Sequence, residues 1–256
     1  MTPSLPSEFL RRPITHRALH DVTDQRPENS RAAIRAAIDA GYGIEIDLQR
    51  TRDNRAMVFH DYDMTRLTGQ SGPIQQITAA QAQAQPLLNS DGEGIPSLEE
   101  VLDLVAGRVP LLIELKDQDG AMGPDVGALE ADVVGTLQGY DGPVALMSFN
   151  PHSVAELARL APHLPRGLVT CSYDPKVELL PRVVCDHLRE IPDFERVGAS
   201  FISHEAKDLD RPRVAELKAQ GVPILCWTIR SPEQEVAARK VADNVTFEGY
   251  LAEHPA

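Results

Sequence analysis

One feature limits the fold more than any other: short apolar runs of strand length, eight in all, alternate with longer stretches of helical periodicity. Strand candidates are residues 12–16, 43–48, 110–115, 143–148, 166–171, 198–203, 223–228 and 244–247. Helical patterns lie between them at residues 29–40, 97–105, 124–137, 151–160, 175–189, 211–220 and 232–241. Some of their ends are marked, because Ser97 and Glu100 have the spacing of a capping box and Gly41 and Gly221 stand where helices close. Strand, helix and strand in repetition demand parallel pairing with the helices outside. Eight such units predict an α/β fold, a closed (β/α)8 TIM barrel, rather than an open doubly wound sheet. The dinucleotide-binding alternative also lacks its G-x-G-x-x-G after any strand.

The alternation breaks once. Residues 55–60 follow the second strand through Arg52-Asp53-Asn54, and a long connector then runs to Pro96. The break reads as a hairpin plus a small cap, an insertion of about residues 52–96 in a single domain over 1–256. A chain of 256 residues buries roughly 70 to 75% of its unfolded surface, so its core needs no disulfide. Cys171, Cys185 and Cys226 are odd in number and form no CxxC, which fits buried thiols in a reducing compartment.

No segment approaches the roughly 20 apolar residues that span a bilayer, and the opening residues lack the apolar core of a secretory signal. The expectation is a cytoplasmic protein without stable membrane insertion. With 25 Lys plus Arg against 38 Asp plus Glu, the formal charge of -13 repels nucleic acid and anionic lipid. A phosphate-ester substrate therefore requires positive charge concentrated locally.

In a strand, residues two apart share a face, so Glu45 and Asp47 point one way and Ile44, Ile46 and Leu48 the other. The same rule pairs Glu114 with Lys116. Both pairs fall at carboxyl-terminal strand ends, where barrel enzymes do their chemistry. Three converging carboxylates repel one another unless a cation compensates them. An all-oxygen donor set favours one divalent cation, Ca²⁺ or Mg²⁺ with Mn²⁺ possible, over structural zinc.

His16 and Arg17 end the first strand. A hairpin turn centred near Asp53 places residue 60 opposite about residue 46, so His60 lies beside the acids. Two imidazoles flanking a cation-bound phosphodiester have the titration range for general base and general acid. Arg17 and Lys116 supply the local positive charge. The other histidines, His20, His152, His163, His187, His204 and His254, read as surface or capping residues, although the loop carrying His20 also faces the site.

The chain resembles the glycerophosphodiester phosphodiesterase family. The resemblance lies in His16-Arg17, Pro27-Glu28-Asn29-Ser30, Gly43-Ile44-Glu45-Ile46-Asp47, His60-Asp61, Arg66-Leu67-Thr68-Gly69, Ile95 to Glu100, Ile113-Glu114-Leu115-Lys116, Ser148-Phe149-Asn150 and Trp227-Thr228. It implies metal-dependent hydrolysis of a small glycerophosphodiester to glycerol 3-phosphate and an alcohol. His16 and His60 would be catalytic, Glu45, Asp47 and Glu114 would hold the cation, and Arg17 and Lys116 would bind phosphate. Glu28 would orient the first loop, and Trp227 would wall the glycerol side or serve only in barrel packing. The alternatives are a lysophospholipase D-like enzyme on larger lipid diesters and a non-catalytic barrel that binds anionic metabolites. The residues say nothing of an oligomer.

Four features depart from the family pattern: Ala18 in place of the usual Gly, a long stretch at residues 19–26, Arg230 where Asn is common, and Thr246-Phe247-Glu248-Gly249 near the last strand.

Overall fold

A computed structural model describes residues 2–254. In chain order the strands are β1 (Ile14–Thr15), β2 (Gly43–Arg50), β3 (Ala56–Val58), β4 (Leu111–Leu115), β5 (Val144–Ser148), β6 (Arg166–Thr170), β7 (Phe201–Glu205), β8 (Ile224–Ile229) and β9 (Asn244–Phe247). The helices are α1 (Glu8–Arg11), α2 (Arg31–Asp39), α3 (Thr65–Thr68), α4 (Ala79–Gln83), α5 (Leu98–Val105), α6 (Ala128–Thr136), α7 (Pro151–Leu160), α8 (Arg182–Leu188), α9 (Pro212–Ala219) and α10 (Pro232–Ala238). Every strand but β3 pairs in parallel with the next, and β1 pairs with both β2 and β9. That double pairing closes the (β/α)8 barrel.

The period of two along each strand builds two layers of core. Outward residues Ile44, Ile46, Leu48, Ile113 and Leu115 meet the buried faces of α2 and α5 through Ile34, Val101 and Leu102. Inward residues Leu112, Ala145, Met147, Val169, Phe201 and Leu225 pack with Leu5 and Phe9, which plug the barrel at its amino-terminal end. The plug is tied down by Asn244, whose Nδ2 donates to the Phe9 and Arg12 carbonyls at 2.7 and 2.6 Å.

Gly167 sits opposite Phe201 in the β6–β7 register. A Cβ at residue 167 would meet the Phe201 ring at 2.5 to 2.6 Å, so the aromatic fills the space left by the missing side chain. Gly167→Ala should therefore overpack the barrel by about 1 to 3 kcal/mol, lowering the thermal midpoint by roughly 2 to 12 °C for a protein of this size. An unchanged midpoint in calorimetry would show that the ring yields freely.

The break in the alternation is a hairpin and a cap. Antiparallel β3 sets Leu48 opposite Val58 and Arg50 opposite Ala56, so the turn is centred at residue 53 as its residues predict. The Phe59 N–H donates to the Asp47 carbonyl at 2.9 Å, which carries the register on to His60. Beyond it α3 and α4 enclose Met57, Phe59, Met64, Leu67, Ile74, Ala82, Leu87 and Ile95 in a small core of their own. Among the described residues no helix is long and apolar enough to cross a membrane.

Several boundaries move. The first strand shrinks to two residues, since Pro13 has no N–H to pair and the chain turns left-handed at Arg17 and Ala18. The helix expected over 124–137 starts at Ala128, behind Gly127 at a positive φ that glycine tolerates. The helix expected over 175–189 is confined to α8, because Pro181 at its N-cap disfavours helical geometry in the preceding residue. His204 is a further correction, for it is buried rather than superficial. Its ring bridges Thr170 Oγ1 at 2.8 Å and the Asp208 carbonyl at 3.0 Å, bracing β6 against the turn after β7.

Candidate active site

The site forms where β1 and β4 end, against Glu45 and Asp47 within β2, whose last residues run on into the β3 hairpin. His16 follows β1 directly, and its N–H donates to the Phe247 carbonyl at 2.8 Å. Arg17 and Ala18 then adopt φ of 52° and 64°. This reversal turns the Arg17 N–H onto Glu45 Oε2 at 2.8 Å and the Ala18 N–H onto the Glu45 carbonyl at 3.0 Å. Ala18 thus holds the left-handed conformation that the more usual glycine would adopt freely, at a cost of about 1 kcal/mol.

Parallel register sets Asp47 opposite Glu114. Glu45, Asp47 and Glu114 can each offer an oxygen within 4.8 Å of the others, and all three are buried. Burial, then Asp47 and Glu114, pushes the Glu45 carboxyl well above its ordinary value. Burial also raises Glu114, against the pull of Lys116. For Asp47 burial is overcome by Lys116, His60 and Arg17, which hold its carboxyl far below the usual range.

Lys116 Nζ lies 2.7 Å from Asp47 Oδ1 and 2.6 Å from Glu114 Oε1, and Asn29 Nδ2 donates to Asp47 Oδ2 at 2.9 Å. Arg17 Nε is 3.5 Å from Asp47 Oδ2, while its Nη1 bonds Glu28 Oε1 at 2.8 Å. Lys116 and a partly committed Arg17 leave the three acids short of positive charge. A hard, all-oxygen donor set with an excess of buried negative charge fits a divalent cation.

Each histidine has a carboxylate behind it. His16 Nδ1 lies 2.6 Å from Glu248 Oε2, and His60 Nδ1 lies 2.7 Å from Asp61 Oδ1. Burial lowers the His16 pKa, partly offset by Glu248. Arg66 joins Asp61 at 2.7 Å to both Glu28 oxygens at 2.7 and 2.8 Å, so Glu28 reaches the site only through Arg17 and Arg66.

His16, Arg17, Glu45, His60, Glu114 and Lys116 line one inner cavity of 200 Å³. Ser203 and Thr246 line it too, and their hydroxyls are buried without a hydrogen-bond partner among the described residues, as is Arg17 Nε. Buried polar atoms are rarely left so, and here they face a shared space. Trp227 donates from Nε1 to the Ser203 carbonyl at 3.0 Å and stands edge-on to Phe149 at 5.5 Å. These two rings also wall an outer cavity of 1130 Å³ with Tyr62, Met122, Tyr173 and Val177.

The structure therefore gathers all seven residues expected to act on the cation, the phosphate and protons, with Trp227 at the boundary of the two cavities. Ser203 carries no sequence signal, and Thr246 and Glu248 stand in the sequence only as a departure from the family pattern. Asn29, Asp61 and Arg66 stood in the motifs quoted above without an assigned part.

The pattern of the glycerophosphoryl diester phosphodiesterase family matches residues 16–247. The chain belongs to that family. It is accordingly an enzyme of the phosphoric diester hydrolase class. Bacillus subtilis YhdW is 27% identical over 237 residues, covering 90% of each chain. A glycerophosphodiester phosphodiesterase of Caldanaerobacter subterraneus is 30% identical over 152 residues, covering 56% of this chain and 61% of that protein. Among solved structures, an Oleispira antarctica phosphodiesterase in complex with the product sn-glycerol-3-phosphate has a TM-score of 0.75. It is 22% identical and covers 92% of this chain and 91% of that one. That structure thus shares the barrel across nearly the whole chain.

Proposed function

We propose that this protein hydrolyses glycerophosphodiesters to glycerol 3-phosphate and an alcohol, with one divalent cation on Glu45, Asp47 and Glu114. The observation that carries this reading is the convergence of two carboxylate-backed histidines, Glu45, Glu114, Arg17 and Lys116 on one cavity of 200 Å³, with buried Asp47 offering an oxygen within 4.8 Å of those of Glu45 and Glu114. A bound Ca²⁺ or Mg²⁺ would polarise the phosphoryl group and neutralise charge developing there.

The chain's own residues supply the rest. Arg17 and Lys116 hold phosphate oxygens, and the free hydroxyls of Ser203 and Thr246 give the glycerol end partners on the cavity wall. With Nδ1 of each histidine held by a carboxylate, both Nε2 atoms serve the reacting centre. One takes the proton of the nucleophile, water or the neighbouring glycerol hydroxyl, while the other protonates the departing alcohol. The three free cysteines, all buried, support a reducing, cytoplasmic workplace.

The outer cavity favours a second reading. Its walls include Met122, Phe149, Tyr173, Val177 and Trp227, so the apolar space that an acyl chain needs comes from the loops after the later strands.

Purified protein should release glycerol 3-phosphate from glycerophosphocholine, lose that activity to a chelator, and regain it with Mg²⁺, Ca²⁺ or Mn²⁺. Faster turnover of lysophosphatidylcholine would transfer the assignment to lipid diesters. Binding without turnover of any diester, with every cation, would leave an anionic-metabolite-binding barrel. A cyclic phosphate seen by phosphorus NMR would identify the glycerol hydroxyl as nucleophile.

A further inference from the structure

Three departures from the family pattern meet at one carboxylate. Glu248 lies just beyond β9, Arg230 just beyond β8, and His20 in the long first loop. Glu248 Oε1 accepts from Arg230 Nε at 2.8 Å, and Oε2 faces His16 Nδ1 at 2.6 Å and His20 Nε2 at 3.5 Å. The backbone is fixed as well, since the Glu248 N–H donates to the Ile229 carbonyl at 2.9 Å and the His16 N–H to that of Phe247. The arrangement repeats the one across the cavity, where Asp61 bonds His60 Nδ1 and is itself held by Arg66.

We propose that Glu248, anchored by Arg230, is the positioning residue of His16: it accepts the Nδ1 proton's hydrogen bond and so leaves the Nε2 lone pair turned into the inner cavity. A carboxylate behind an imidazole fixes both ring rotation and tautomer, and the opposite tautomer would present N–H where a lone pair is needed. Arg230 is the more replaceable member, because it is largely exposed and acts only by holding Glu248. The inference rests on the proposed catalytic part of His16 and adds the group that makes this ring competent.

The test is a double-mutant cycle on glycerophosphocholine in the cation-loaded enzyme. Glu248→Ala should lower kcat by about 100-fold with little change in KM. Glu248→Gln keeps an acceptor without the charge and should recover part of the loss, and Arg230→Ala should lose less than either. In a His16→Ala background, Glu248→Ala should cost less than about 2-fold more, since the ring it orients is gone. Nitrogen-15 imidazole shifts should report His16 protonated at Nδ1 in the parent and a shift toward Nε2–H in Glu248→Ala.

An equal loss in both backgrounds, a loss confined to KM, or an unchanged tautomer would overturn the positioning role while leaving His16 catalytic. Full activity in His16→Ala would instead overturn the reading beneath it, and this inference with it.

Discussion

His16→Ala should lower kcat/KM on glycerophosphocholine by about 10²- to 10⁴-fold, with most of the loss in kcat. The ring lines the inner cavity beside Glu45 and Arg17, and in the proposed mechanism its removal deletes a proton-transfer group without touching Glu45, Asp47 or Glu114. His60→Ala should produce a loss of similar size. The two variants separate base from acid when the departing alcohol is replaced by p-nitrophenol, which leaves without protonation. The variant lacking the acid should then recover most of its rate, and the variant lacking the base should not.

Burial lowers the His16 pKa, so its neutral form persists to lower pH than for a free imidazole. If His16 is the base, kcat/KM should fall on the acidic side with a midpoint below about 6.5. Retention of more than a tenth of the activity by both alanine variants would remove proton transfer by these rings from the mechanism.

Removing the cation should be equally severe and should also be visible in stability. Saturation at 100 times Kd stabilises a folded site by about 2.7 kcal/mol. For a protein of this size that is a rise in thermal midpoint of roughly 5 to 11 °C. The pH dependence has a definite sign. Glu45 and Glu114 have raised pKa values in the ion-free protein, so their contribution to stability is best below the unfolded carboxyl value of 4.5. It declines as pH rises through their folded values.

A cation displaces those protons, and the gap between Mg²⁺-loaded and chelated protein should therefore widen from pH 5 to pH 8 in a thermal scan. Asp47→Asn should abolish both the gap and the activity, since it removes one proposed ligand and a partner of Lys116. A gap that is constant with pH, or that survives Asp47→Asn, would place the cation elsewhere.

The barrel was legible because backbone geometry repeats locally. Glu45 and Asp47 could be assigned to one face of β2 from their spacing alone, and the turn at Asp53 carried His60 to them through hairpin register. The Ser97 and Glu100 capping box was equally legible, since all its partners lie within one helical turn. The shortfall lay where context overrides pattern. The prolines at 175 and 181 interrupt a helical run, and His204 has no local sign that Thr170 and Asp208 will bury it.

The sequence by itself determined the fold class, the faces of β2 and β4, and the set of acids, histidines and basic side chains, Arg17 and Lys116, that meet there. Each of these follows from local periodicity, turn position and the order of elements along the chain. Only the tertiary structure decided that Glu248 stands behind His16, that Arg230 grips Glu248, and that Ser203 and Thr246 face the same cavity. The first of these depends on ring closure, which pairs β9 with β1 across more than 200 residues of chain, and the others on the packing of neighbouring strands. Periodicity says which way a side chain points, and only closure and packing say what it meets.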